Sequence, residues 1–269
     1  DEQVLCGEDL YLKVLSSEWR GEPTNQSVGD EPVLYYELNA LTRDQVKTYV
    51  ESKMPDQASL FLTALSEQHA WDFAGCPLDL DWLLVSWRMH SRLGHRLQQY
   101  SDGSRERLSK DTQGRTEQRI LATERSLLGA EKLALAMVLT QCSYLFSPDD
   151  GGEPAPEVLL AHDVLSDWAE VEVKELLRSA LFDPATHGCV QFHHRSMREY
   201  LAAKCLSDLL QQGLPFLSLK NTLFKLNYGE LVIPHYLKPV VAWLAALDER
   251  FFDLAVDNFP ELLMSDGAP

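Results

Sequence analysis

Two short stretches of this sequence carry residue types able to do chemistry. One is Phe192-His193-His194-Arg195-Ser196-Met197-Arg198-Glu199-Tyr200-Leu201-Ala202-Ala203, with two histidines where an apolar run gives way to a helical one. The other is Ala74-Gly75-Cys76-Pro77-Leu78. Pro77 has no N–H and a rigid ring, so it can lie flat against a planar ligand, and Gly75 lets a backbone approach closely. His194 opens a helix, where backbone N–H groups concentrate positive potential and favour anions such as phosphate. His193 competes for the same role one residue earlier. A metal site built from His193, His194, Cys189 and Cys205 is disfavoured, because adjacent helical residues point about 100° apart. What is missing matters as much. There is no GxxxxGK[ST], no GxSxG, no HExxH and no paired Cys/His spacing, so the sequence shows no self-sufficient active site.

Elements must hold these stretches in place. Residues 10–16 read as a buried strand, 18–32 as a loop and 33–38 as a second strand. Thr42-Arg43-Asp44-Gln45 is a capping box that starts a helix over 43–53. Helices follow over 58–73 and from Pro77 through Trp87, whose Trp82, Leu83, Leu84 and Trp87 read as core. Residues 97–119 are polar and read as a solvated helix or a linker, which places a domain boundary there. Between Arg88 and Lys132 ten basic residues, Arg20 not among them, outnumber six acidic ones, again read as a solvated face. Helices are expected over 127–146, 158–165, 167–182 and 195–210, with a loop at Asp149-Asp150-Gly151-Gly152. A short hairpin is expected between about Ser179–Phe182 and Cys189–Phe192, across the turn residues of 183–188. Helix, helix, hairpin, helix is the order of a winged helix. From Leu217 the pattern is helical again, interrupted by Pro234 and Pro239.

The first long motif resembles the F-x-H-x-S-x-x-E-Y-x-A-A segment that ends the winged-helix domain of NACHT-type ATPases of the STAND signal-transduction class. Gly75-Cys76-Pro77 is similar to the G-x-P of their small helical domain, and Leu38 to Gln45 to the entry into that domain. The resemblance covers most of residues 10–210. It extends loosely over 220–266, which is similar to the segment after the winged helix in bacterial antiviral STAND proteins. It implies a mainly α fold: residues 1–40 as the end of an α/β P-loop sheet, 41–100 as the small helical domain, 115–212 as the winged helix and 213–269 as a helical segment. It also implies that Gly75, Pro77 and His194 help to hold ATP or ADP. The strand at 10–16 is similar to the sensor strand that ends in Ser/Thr-x-Arg, but here Ser16-Ser17 is followed by Glu18. That leaves Arg20 as the candidate arginine.

The implied function is the regulatory part of an ATP-dependent oligomerisation switch in bacterial antiphage defence or signalling. Mg²⁺ and an upstream P-loop portion would belong to a longer parent, itself a slow ATPase. This chain alone would neither bind nucleotide tightly nor hydrolyse it. Expected partners are that P-loop portion, further copies on activation and a protein trigger. Two other readings are a winged-helix DNA-binding regulator and a nucleotide-free helical interaction module. Against the DNA reading, the recognition helix expected over Asp167–Leu181 carries Asp167, Glu170, Glu172 and Glu175 against Lys174 and Arg178.

Composition agrees with a globular domain or two: 269 residues, 45% apolar and 24% charged. Lys+Arg 24 against Asp+Glu 41 gives a net charge of −17, which repels phosphate backbones and anionic lipid. No run reaches the ~20 apolar residues of a membrane span, and the start has neither a basic nor an apolar leader region. The chain opens without methionine and ends in turn-like residues, which reads as a piece of something longer. Five scattered cysteines read as reduced thiols of a cytoplasmic protein.

Overall fold

The structure is a computed structural model, and it describes residues 40–110, 121–146, 158–185 and 188–264. The expected strands at 10–16 and 33–38, Arg20, and the loop at 149–152 lie outside the described residues. Within them the chain is mainly α-helical, with one four-stranded sheet and one hairpin.

The first helix, α1 (Arg43–Lys53), starts on the capping box. Gln45 N–H donates to Thr42 Oγ1 at 3.3 Å, and Thr42 N–H donates to Gln45 Oε1 at 2.9 Å. The helix expected over 58–73 is two pieces, α2 (Ala58–Glu67) and α3 (Trp71–Ala74). His69 takes a left-handed φ of 53° between them and ends the first helix. Pro77 then occupies the first position of α4 (Pro77–His90), where its missing N–H costs nothing. Val46, Val50, Phe61, Leu65, Leu83 and Trp87 from these helices close one core.

The polar stretch expected as a solvated helix or linker begins with α5 (Arg96–Lys110), which has a buried stripe. Tyr100, Ser104 and Leu108 are each 1% exposed, and Leu97 packs beside them. Their spacing of three and four residues is a helical stripe that the surrounding Gln, Ser and Arg residues conceal. Residue 100, where the expected 41–100 domain ends, lies inside this helix. Tyr100 and Leu108 join a second, larger core that runs on to Leu262 and takes in Trp82 of α4.

Next come α6 (Thr123–Thr140), β1 (Leu145–Phe146), β2 (Leu159–Leu160), α7 (Ala161–Val164), α8 (Glu170–Leu177), β3 (Phe182–Pro184), β4 (Cys189–Phe192) and α9 (Arg195–Gln211). The strand order is β2-β1-β4-β3, with β4 antiparallel to both neighbours and β2 parallel to β1. The order is helix, two strands, two helices, hairpin and helix around one small mixed sheet.

Several expected boundaries move. The helix expected over 127–146 stops at Thr140, because Gln141 turns left-handed with φ 57°. The one expected over 158–165 opens as a strand, and that over 167–182 shortens to α8. The hairpin's first strand is 182–184 rather than 179–182, because Ser179 and Phe182 N–H still make i→i−3 bonds at the helix end. Pro184 is tolerated because β3 is an edge strand.

After α10 (Phe216–Leu223) the helical pattern expected from Leu217 breaks before Pro234. The strands β5 (Lys225–Asn227) and β6 (Glu230–Val232) form a hairpin whose two-residue turn, Tyr228 (φ 52°) and Gly229 (φ 85°), takes the left-handed pair that suits strand twist. A 3-10 turn at His235–Leu237 leads into α11 (Lys238–Leu247), then α12 (Glu249–Asn258) and α13 (Pro260–Met264). Pro239 sits in the first turn of α11 and interrupts nothing. Helix α9 packs against both α6 and α11, with Leu201, Ala202 and Ala203 fully buried.

Candidate functional site

The Gly75–Pro77 turn is built by backbone bonds. Buried Gly75 donates its N–H to Trp71 O at 3.1 Å and accepts from Leu41 N–H at 2.8 Å, which ties the end of α3 to the entry of α1. Gly75 does not take a left-handed φ. Pro77 is exposed at the start of α4, its ring open to a ligand. Two residues on, burial pushes the Asp79 carboxyl up, with the Arg96 charge and a bond from Cys76 acting against it.

The second stretch separates its two histidines. His193 is exposed, its Nδ1 lies 2.7 Å from Asp183 Oδ2 on β3, and its N–H donates to Leu181 O at 2.8 Å. His194 is the half-buried N-cap of α9, with extended backbone (φ −137°, ψ 137°) and no side-chain capping bond. Burial first, then His193 and the Arg107 charge, lowers its pKa, while Asp183 acts in the opposite sense. The rings meet edge to face with centroids 4.8 Å apart. His193 is therefore committed to Asp183, and His194 is the imidazole left open at the positive end of a 17-residue helix.

Helix α5 joins the two stretches. Tyr100 Oη bonds Ser196 Oγ at 3.0 Å, two residues into the α9 motif. Its ring is caged by Trp82 of α4 at 4.1 Å, Trp243 of α11 at 4.5 Å and Tyr200 of α9 at 5.5 Å. The Arg96 guanidinium lies over Tyr100, Trp243 and Phe73, the last of these two residues before Gly75. Further along α5, half-buried Arg107 donates to Ala180 O at 3.2 Å, just before β3. Helix α5 thus touches Phe73, just before the Gly75–Pro77 turn, through Arg96, and Ser196, just after His194, through Tyr100.

Arg96, Tyr100 and Arg107 escaped the sequence reading, although Arg96 and Arg107 lie in the one net-positive stretch. That stretch is not simply a solvated face. The available signal was Arg96, Tyr100 and Arg107 at spacings of four and seven, one side of a helix. Arg20 lies outside the described residues. The start of α9 offers an imidazole and helix N-terminal N–H donors suited to an anionic group, and the start of α4 an exposed proline ring suited to an aromatic one. Among the described residues no group of three His, Cys, Asp or Glu side chains is placed to hold a metal, and no helix is long and apolar enough to cross a membrane. Neither a family model nor a curated protein matches this chain.

Proposed function

We propose that this chain is the regulatory part of a STAND-class, NACHT-type ATP-dependent oligomerisation switch, acting in bacterial antiphage defence or signalling. The observation that supports the reading is the uncommitted His194 imidazole at the start of α9, with α5 reaching from Ser196 beside it to Phe73 beside the Gly75–Pro77 turn. In this reading Pro77 lies against the adenine, Gly75 lets the chain pass close to the nucleotide, and His194 with the α9 N–H groups holds the β-phosphate of ADP. An upstream P-loop portion of the same protein cradles the phosphates and carries the Mg²⁺. ADP keeps the winged helix closed on the helical unit; exchange for ATP releases it, in response to a protein trigger, and copies assemble. A ligand shifts such an equilibrium only by the difference in its affinity for the two states. The protein is cytoplasmic in this reading, in keeping with the free thiols of Cys76, Cys142 and Cys205.

The DNA-binding alternative draws less support. On α8, Lys174 Nζ is 2.8 Å from Glu170, Glu172 takes both Arg125 bonds, and Glu175 accepts from Leu121 N–H. The helix that would enter a major groove presents carboxylates, with its lysine already paired. A nucleotide-free interaction module leaves the open His194 without a role.

The test is ADP retention and oligomer size in the P-loop-bearing parent. His194→Ala should weaken ADP by about ten- to a hundredfold, the loss of one hydrogen bond to a charged group, and shift the protein toward its assembled form. His193→Ala should do neither, because that ring is held by Asp183. If both variants match the parent, the latch reading fails; if only His193→Ala changes, the latch is His193.

A further inference from the structure

The first turn of α9 also borders a cleft that the proposed nucleotide site does not use. It has a volume of about 250 Å³ and lies between the end of α6, the start of α9 and the 235–237 turn. Met137 and Val138 give it an apolar side, while Ser143, Tyr236, Arg195 and Arg198 bring polar atoms. Its one carboxylate, Glu199, is 8% exposed and already accepts from Arg195 Nε at 2.7 Å.

Arg198 is left over. It is half-buried, its Nε is sealed from solvent with no hydrogen-bond partner, and no ion pair reaches it among the described residues. Burial lowers its pKa against the opposing pull of Glu199. The sealed Nε does not itself face the open cleft; Arg198 lines it with its remaining atoms, and the terminal N–H pair of a planar guanidinium fits the two oxygens of an oxyanion. The carbonyl end of α6 works against an anion here, since Gln141 and Cys142 also line the cleft. Affinity must therefore come from the arginines.

We propose that this cleft binds a small molecule through an oxyanion group, a phosphate or a carboxylate, with Arg198 as its principal donor and Arg195 and Ser143 beside it. The volume is below the usual range for drug-sized ligands, which selects a compact metabolite rather than a nucleotide. The site is separate from the His194 latch and does not depend on it.

Titration of this chain with inorganic phosphate, and separately with succinate, followed by amide chemical shifts, tests the proposal and tells the two anions apart. At least one should bind in roughly the millimolar range and move resonances of Ser143 and Arg198. Arg198→Gln should weaken that binding by about tenfold or more, and Arg198→Lys, which keeps the charge but loses the fork, by less. His194→Ala should leave it unchanged. Circular dichroism of each variant separates lost binding from lost folding. The proposal is overturned if neither anion shifts those resonances, if folded Arg198→Gln binds as well as the parent chain, or if His194→Ala abolishes the binding.

Discussion

Glu131 lies in the middle of α6 with 4% of its surface exposed, facing the α9 side chains Lys204 and Asp208. Burial pushes its carboxyl up from the ordinary 4.5 to about 7; Lys204 and Arg105 pull it down, and Asp208 and Glu124 push it further up. The folded state therefore binds this proton more tightly than the unfolded chain does. Its contribution to stability is complete below about pH 4.5 and is lost as pH rises toward 7. At about 1.4 kcal/mol per pH unit the loss is at most roughly 3 kcal/mol. Glu131→Gln should match wild type near pH 4 and exceed it near pH 8 by up to roughly that amount in urea unfolding. An unchanged difference across that range would remove the assignment. Tyr100 gives a second prediction at this scale. Tyr100→Phe keeps the aromatic cage and loses the hydroxyl's bonds to Ser196 and Arg96, so unfolding should cost about 0.5–1.5 kcal/mol less per bond. The residues of the candidate site were legible to different degrees. Pro77 and His194 stood out because motif and helix-start chemistry coincide there. That Asp183 holds His193 was not legible, because the contact joins residues ten apart across a hairpin. Arg96 and Tyr100 were concealed by their polar neighbours.

Among the elements, α6 and α8 meet most tightly at one glycine. A Cβ added at Gly129 would lie 2.5 Å from the Trp168 ring and 2.7 Å from Leu176 Cδ2. Alanine would ordinarily favour a helix interior by roughly 0.5–1 kcal/mol. Here the Trp168 ring is 4% exposed and held from outside by Arg125, whose guanidinium is 4.5 Å from its centroid, so it has little room to yield. Gly129→Ala should therefore destabilise by about 1–3 kcal/mol in denaturant unfolding, and a stabilised variant would show the ring to be free. Elements were readable where local chemistry is complete. The capping box of α1 fixed its start, and Arg195 began α9 as expected. They were misread where a tertiary partner decides. The strand β2 exists because it pairs with β1, and β5 and β6 exist because they pair with each other; such short runs carry no period of their own.

For the whole molecule, α4 is the element that both cores share. Trp87 lies with the α1 to α4 helices, while Trp82, five residues earlier, lies with the helices from α5 onward. One 14-residue helix cannot melt for one core and persist for the other, so the two should unfold together. Fluorescence of variants retaining only Trp82 or only Trp87 should give coincident urea midpoints. Separated midpoints would show two independent units. The cage around Tyr100 carries a further consequence for how the chain comes to be folded. Its walls are Trp82, Tyr200 and Trp243, and Ser196, which ties its hydroxyl, is 96 residues away. At typical synthesis speeds that interval is on the order of ten seconds. Through it, the nascent α4 and α5 must keep Trp82 and Tyr100 uncovered while contacts of high sequence separation wait for their partners. The surface that finally joins the two halves is thus the one a chaperone would meet first.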